Sequence, residues 1–248
     1  MKVSGCWASS LDDCAGSLSA EHIVSRAALQ KVVTVQGLPW CKDQPKRIGT
    51  SSFTAKHLCE HHNSSLARYD AAAETFLETF TAVFETRARH EHFWYSKNRP
   101  VEYKIDGYGL ERWMCKTLIN IALVQNETSP TEIEYLLPYL YRGEEFKEPF
   151  GLFFALDTAR SGDWASDIIQ IVPRLSPEKM LVGSLITIRS FRFVLLLPGS
   201  VDPFINGELP LGPENTDWEG LQLNWHHKTI RIHAGRHITQ IVTIKWNP

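Results

Sequence analysis

Between Ser64 and about Arg89 the apolar residues Leu66, Tyr69, Ala73, Phe76, Phe80 and Val83 recur at three- and four-residue steps. That spacing gathers side chains on one face of an α-helix. After a loop at Lys97–Pro100, a second helix is read from Leu110, Trp113, Met114, Thr117, Leu118 and Ile121. A third opens at Ser129 and Pro130. Ser129 serves as N-cap, Pro130 takes the first helical position, where no N–H is needed, and Glu132 completes a capping box.

Past Pro149 the period shortens. Gly151–Leu156, Ile168–Val172, Met180–Ile188, Phe191–Leu197, Thr229–His233 and Gln240–Trp246 are short runs separated by Pro, Gly, Asn and Asp, as strands are. In Thr229–His233 the apolar Ile230 and Ile232 alternate with Thr229, Arg231 and His233, which gives one buried and one polar face. An antiparallel sheet is expected, with Gly199–Leu223 as a long excursion between two of its strands. Residues 1–62 are loop-rich by contrast, with brief apolar runs at Glu21–Val24 and Val32–Val35 and a turn-prone basic loop through Lys42, Pro45, Lys46 and Arg47. The expected fold is α+β in three blocks: 1–95, ending in the long helix; 96–149, helical; and 150–248, antiparallel and β-rich.

Composition removes several classes. The 248 residues are 43% hydrophobic and 22% charged, which fits a globular chain and neither a disordered nor a coiled-coil one. No apolar run is long enough for a membrane span, and Met1–Asp13 lacks the apolar core of a secretory signal, so a cytoplasmic location is expected. The net charge of −2 is too small for a constitutive nucleic-acid coat, so any phosphate binding must be local. Of the five cysteines, Cys6, Cys14, Cys41 and Cys59 fall in the first quarter, and without an export signal a disulfide framework is not expected.

Two stretches concentrate the chemistry: Cys14 through Arg26, containing Glu21-His22, and Leu58 through Leu66, containing Cys59-Glu-His-His62-Asn63. Cys6 and Cys14 on one side and Cys59 and His62 on the other supply four soft ligands in two pairs, the donor set of a closed tetrahedral Zn²⁺ site. Cys41 is an alternative to Cys6, and unrelated buried thiols are the plain alternative to both. Asp70 lies seven residues beyond Asn63, about 10 Å along a helix, too far for both to bind one ion, and reads as a solvated or cap-bracing carboxylate. His57 and His61 read as surface imidazoles flanking the site. Lys42, Lys46, Arg47 and Lys56 read equally well as a phosphate track or a solvated loop. His226, His227, His233 and His237 read as a polar sheet face, and Trp113 as core.

Residues 6–70 resemble the HNH endonucleases of the ββα-metal superfamily, in the zinc-braced variant with a Glu-His strand and a Cys-x-x-His-Asn helix entry. The resemblance implies that His22 is the general base and that Glu21 and Asn63 are catalytic residues holding a divalent Mg²⁺ or Mn²⁺ ion. It implies further that Cys6, Cys14, Cys59 and His62 hold a structural Zn²⁺. The chain departs from the family in its widened first cysteine pair, in His62 for the last zinc cysteine, in Ser25 for a proline and in Thr54 for an asparagine. The chemistry suits these residues independently. Imidazole titrates near neutrality and can deprotonate water, while carboxylate and amide oxygens suit a hard cation. Neighbours on a strand face opposite ways, so Glu21 and His22 can both serve only if the strand ends or bulges there.

The expected activity is metal-dependent hydrolysis of phosphodiester bonds, in DNA rather than RNA on family grounds. Control by a protein partner, an activator or self-association is expected, as in host defence. The competing expectation is a non-catalytic zinc-stabilised interaction module. The β-rich block carries no matching carboxylate-histidine pair, so residues 1–149 are expected to suffice for the chemical step.

Overall fold

The structure, a computed structural model, describes residues 2–26, 29, 32–35, 38–90, 101–147, 150–155, 169–188, 191–198, 223–224, 230–234 and 240–246. In the N-terminal block β1 (Leu18–His22) is followed by β2 (Val32–Val35) and β3 (Lys46–Gly49), which pair antiparallel with each other. Lys46 and Arg47, expected in a loop, therefore lie in a strand. The chain returns as β4 (Thr54–Cys59), antiparallel to β1, and runs directly into α1 (Glu60–His90). The register between β1 and β4 shifts between Ser19 and Glu21, and β1 stops at His22. A bulge at a strand end is what the Glu21-His22 pair required.

The middle block holds a strand the apolar pattern had not singled out, β5 (Val101–Asp106), and then α2 (Gly107–Gln125). Asp106 caps α2 by accepting from the Gly109 N–H at 3.0 Å, and Asn126 ends it in the left-handed conformation. The third helix starts as a 3₁₀ turn at Thr131–Leu136 and becomes the five-residue α3 (Leu137–Tyr141). Glu132 does reach back to the Ser129 N–H, at 2.6 Å, so that half of the capping box forms.

In the C-terminal block β6 (Gly151–Ala155), β7 (Ile169–Leu175), β8 (Leu181–Ile188), β9 (Phe191–Leu196) and β10 (Leu223–Asn224) form one antiparallel sheet, ordered β10-β6-β9-β8-β7. The last two strands, β11 (Ile230–Ala234) and β12 (Gln240–Lys245), do not join it. They pair antiparallel with each other, and β12 pairs parallel with β5 from Gln240↔Val101 to Lys245↔Asp106. Most of 199–223, together with His226, His227 and His237, lies outside the described residues.

Helix α2 is the centre of the molecule. Gly107 and every residue from Gly109 to Val124 are buried, so a helix read as one-faced is enclosed on all sides. Buried polar groups must then be partnered. The Glu111 carboxylate accepts from the Leu152 N–H at 2.7 Å, clipping α2 to β6. Arg112 donates to the carbonyls of Tyr139, Tyr108 and Glu144, clipping it to the end of α3. One hydrophobic cluster runs from Cys6 and Trp7 through α1 and α2 to Leu152, Phe193 and Ile244.

This shared core argues against the expectation that residues 1–149 suffice. Such a fragment loses β12, the neighbour of β5, and Trp246, whose ring packs so close to Gly107 that a Cβ there would lie 2.6 Å from it. The fragment should show no cooperative thermal transition by circular dichroism, where the full chain shows one. A sharp transition in the fragment would mean that residues 1–149 do fold independently.

Candidate functional site

The N-terminal loop wraps the start of α1. The Trp7 N–H donates to the His57 carbonyl at 2.9 Å, tying the loop to β4. The carbonyls of Ser17 and Ala15 accept from the Glu60 and His61 N–H groups at 2.9 and 3.2 Å, satisfying two of the donors a helix start leaves open. Gly16, between those carbonyls, has φ +76°, and a Cβ there would meet Glu60 Cβ at 2.8 Å, so glycine is required. Helix α1 thus begins at Glu60, four residues earlier than the apolar spacing indicates, because the loop supplies its cap.

This wrapping brings the soft ligands together. Cys59 ends β4, His62 lies in the first turn of α1, and Cys6 and Cys14 come from the loop. The sulfurs of Cys6, Cys14 and Cys59 lie 3.3, 3.7 and 3.2 Å from His62 Nδ1. All four ligand atoms fall within 4.8 Å of one another. A tetrahedral Zn²⁺ with ordinary bond lengths separates its ligands by about 3.5–3.8 Å, so the spacing suits the ion. All four residues are buried, His62 and Cys59 completely. The arrangement is a buried Cys₃His cluster consistent with a structural zinc, and it takes Cys6 rather than Cys41, which is buried elsewhere.

The surroundings suit thiolate ligands. Burial pushes the Cys6 thiol up to about 12, so in a cavity without a cation this sulfur would stay protonated. Burial works on Cys59 in the same direction, yet the N–H groups of His62 and Ala15 and the neighbouring thiols hold it below its ordinary value. His62 Nε2 lies 2.7 Å from Asp13 Oδ1. A proton on Nε2 donated to that carboxylate leaves the Nδ1 lone pair facing the sulfurs, the usual way a ligating imidazole is oriented. Burial is the largest single influence and raises Asp13, but the hydrogen bond and charge of His62, with help from its own backbone and His61, together hold it below the usual carboxylate range. Tyr141 packs edge-on to the His62 ring, 5.1 Å between centroids. His61 is half exposed and 3.7 Å from Asp13. Cys115 lies apart from the cluster, wholly buried on α2.

A second polar cluster lies where β1, α1 and α2 meet. Glu21 is buried, and its Oε1 lies 2.7 Å from Lys116 Nζ. Lys116 also donates to Asp70 Oδ1 and Oδ2 at 3.2 and 3.1 Å. Ser25 donates to Asp70 Oδ1 and accepts from Trp113 Nε1, the latter at 2.6 Å. Burial raises the Glu21 carboxyl, with Lys116 and Asn120 opposing. Burial would lower Lys116, but Glu21 and Asp70 hold it above its ordinary range. Asp70, 34% exposed, is therefore a bracing carboxylate between α1 and α2 as well as a partly solvated one.

His22 sits beside this cluster at the end of β1. Its Nε2 is buried and has no hydrogen-bond partner among the described residues. Burial depresses its pKa first, and Arg26 and Lys116 add to this against the pull of Asp70. Asn63 lies inside α1 and donates from Nδ2 to Ser19 Oγ at 3.0 Å, so it braces β1 rather than capping the helix.

Nothing in this placement supports a divalent ion held by Glu21 and Asn63. Glu21 Oε1 is paired with Lys116, which offsets the carboxylate's charge, and Asn63 is held to Ser19 through its Nδ2. Among the described His, Cys, Asp and Glu residues, the sets of three or more close enough to share an ion are the Cys₃His cluster and Asp13, His61 and His62 beside it.

Lys116, Asp13 and Arg26 were not singled out in the sequence, and Ser25 was noted only as standing in place of a proline. A signal for Lys116 was present: Arg112, Lys116 and Asn120 are spaced four apart, a polar stripe on an otherwise apolar helix. Asp13 carried none beyond adjacency to Cys14. No family model, curated protein or solved structure matches this chain. Among the described residues no helix is long and apolar enough to cross a membrane.

Proposed function

We propose that residues 6–70 form an HNH-type endonuclease module that hydrolyses phosphodiester bonds, with DNA the favoured substrate, His22 the general base and Zn²⁺ the structural brace. The observation that carries the reading is the position of His22. It stands at the end of the first strand of a ββα unit whose helix start is closed by the Cys₃His cluster, with a buried ring nitrogen that spends its hydrogen-bonding capacity on no described neighbour. Imidazole in that state can take a proton from water as the resulting hydroxide attacks phosphorus and the 3′-oxygen leaves, taking up a proton from solvent water. Arg26, exposed and four residues beyond His22, supplies a cation for the phosphate. No step is assigned to a second metal ion, since the pairing of Glu21 with Lys116 offsets the charge that would hold one. The small net charge supports control by a partner or activator, because few cations release few counterions.

The test is cleavage of duplex, single-stranded and supercoiled DNA, with an RNA control, by the purified full chain in Mg²⁺, Mn²⁺ or chelator. DNA cleavage lost in His22→Ala supports the reading. One observation favours a non-catalytic zinc-braced interaction module instead: Lys116 neutralises Glu21 where catalysis by the expected route would need a free carboxylate. Absence of cleavage under every condition would select that module.

A further inference from the structure

We infer that Lys116 of α2 is a positioning residue, which with Asp70 and Ser25 clamps the segment Glu21–Ser25 at both ends and so fixes His22. The inference rests on the reading of His22 as base, and it gives Glu21 a positional task in place of the ion-binding one. At one end of the segment, Glu21 is held by the Lys116 ammonium at 2.7 Å. At the other, Ser25 hydrogen-bonds to Asp70 and to Trp113 Nε1. Lys116 closes the circuit, because it also binds Asp70 and shares α2 with Trp113. Between the two ends Ile23 and Val24 are buried, and the Ile23 N–H donates to the Phe53 carbonyl at 3.1 Å.

On its own, the short strand β1 holds its last residue by a single end position, His22 opposite Thr54. It ends at His22 and is bulged just before, and edge positions of that kind open readily. Burying an ammonium with two carboxylates is also a poor way to gain stability compared with apolar packing, which points to a requirement for a fixed geometry. The clamp makes α2 part of the site although it lies far outside the ββα unit in sequence.

The experiment is hydrogen–deuterium exchange on the zinc-loaded full chain, read over residues 19–26, alongside kcat and KM for DNA cleavage. Lys116→Met should speed exchange there by roughly tenfold or more, with zinc content unchanged. It should lower kcat by about 10–100-fold, the size of loss a misplaced catalytic group causes, with KM little changed. Lys116→Arg should restore much of both. Asp70→Asn, milder because Asp70 is 34% exposed, keeps the test open if Lys116→Met does not fold. Unchanged exchange over 19–26 in folded variants would overturn the clamp. Faster exchange in variants of a parent that cleaves nothing would uphold the clamp and remove the nuclease reading alone.

Discussion

Elemental analysis of the purified chain should find about one Zn²⁺ per molecule, and Cys14→Ser or Cys59→Ser should lose both the metal and the folded N-terminal loop. Residues 2–17 contribute Cys6, Trp7, Ala8 and Cys14 to the core and little else. Their other attachments are a few backbone hydrogen bonds to β4 and α1. A net hydrogen bond contributes only about 1 kcal/mol, whereas structural Zn²⁺ supplies roughly 10–16 kcal/mol of apparent folding free energy in small domains. The metal should therefore dominate this region. Losing the loop also removes the carbonyls of Ala15 and Ser17 from the start of α1, so the damage should spread into that helix. A strong chelator should lower the thermal midpoint by tens of degrees, and Cys115→Ser should retain the metal because Cys115 is outside the cluster. Absence of zinc, or cysteine variants with unaltered metal content and midpoint, would reduce the cluster to four buried side chains.

The parts of this fold that were legible in the sequence are those governed by neighbours along the chain. Strands β6 to β9 were located to within a few residues because they are short apolar runs, most of them bounded by Pro, Gly or Asp. The ligands Cys14, Cys59 and His62 were legible for a similar reason, as short spacings around a strand end and a helix start. Cys6 was also named from the sequence, but with Cys41 open beside it, and the loop's tie to β4 is what decides between them. Strand β5 alternates Val101, Tyr103 and Ile105 with Glu102, Lys104 and Asp106, yet its partner lies some 140 residues on, and a parallel partner leaves no turn signal between. The role of Lys116 was hidden by the same remoteness. Apolar periodicity places its helix correctly, but only tertiary packing shows that the helix is enclosed and that its polar residues face carboxylates from β1 and α1.

His22→Ala should lose on the order of 10²–10⁴ in cleavage rate while zinc content, thermal midpoint and DNA binding persist, because only proton transfer is removed. Its Nε2 holds no described residue in place, so the substitution breaks no hydrogen bond of the fold. The pH dependence adds a second signature. Burial, with Arg26 and Lys116, holds the His22 pKa below the ordinary imidazole range against the opposing charge of Asp70. The neutral ring is the active form, so the rate should climb as pH rises through that depressed value. The plateau should be reached at a lower pH than a free imidazole, with pKa about 6.5, would give. Cleavage left in His22→Ala should lack this rising limb. A variant that keeps the parental rate and the parental profile would show that the base lies elsewhere, and the ββα unit with its zinc brace would then be a scaffold whose chemistry is not centred on β1.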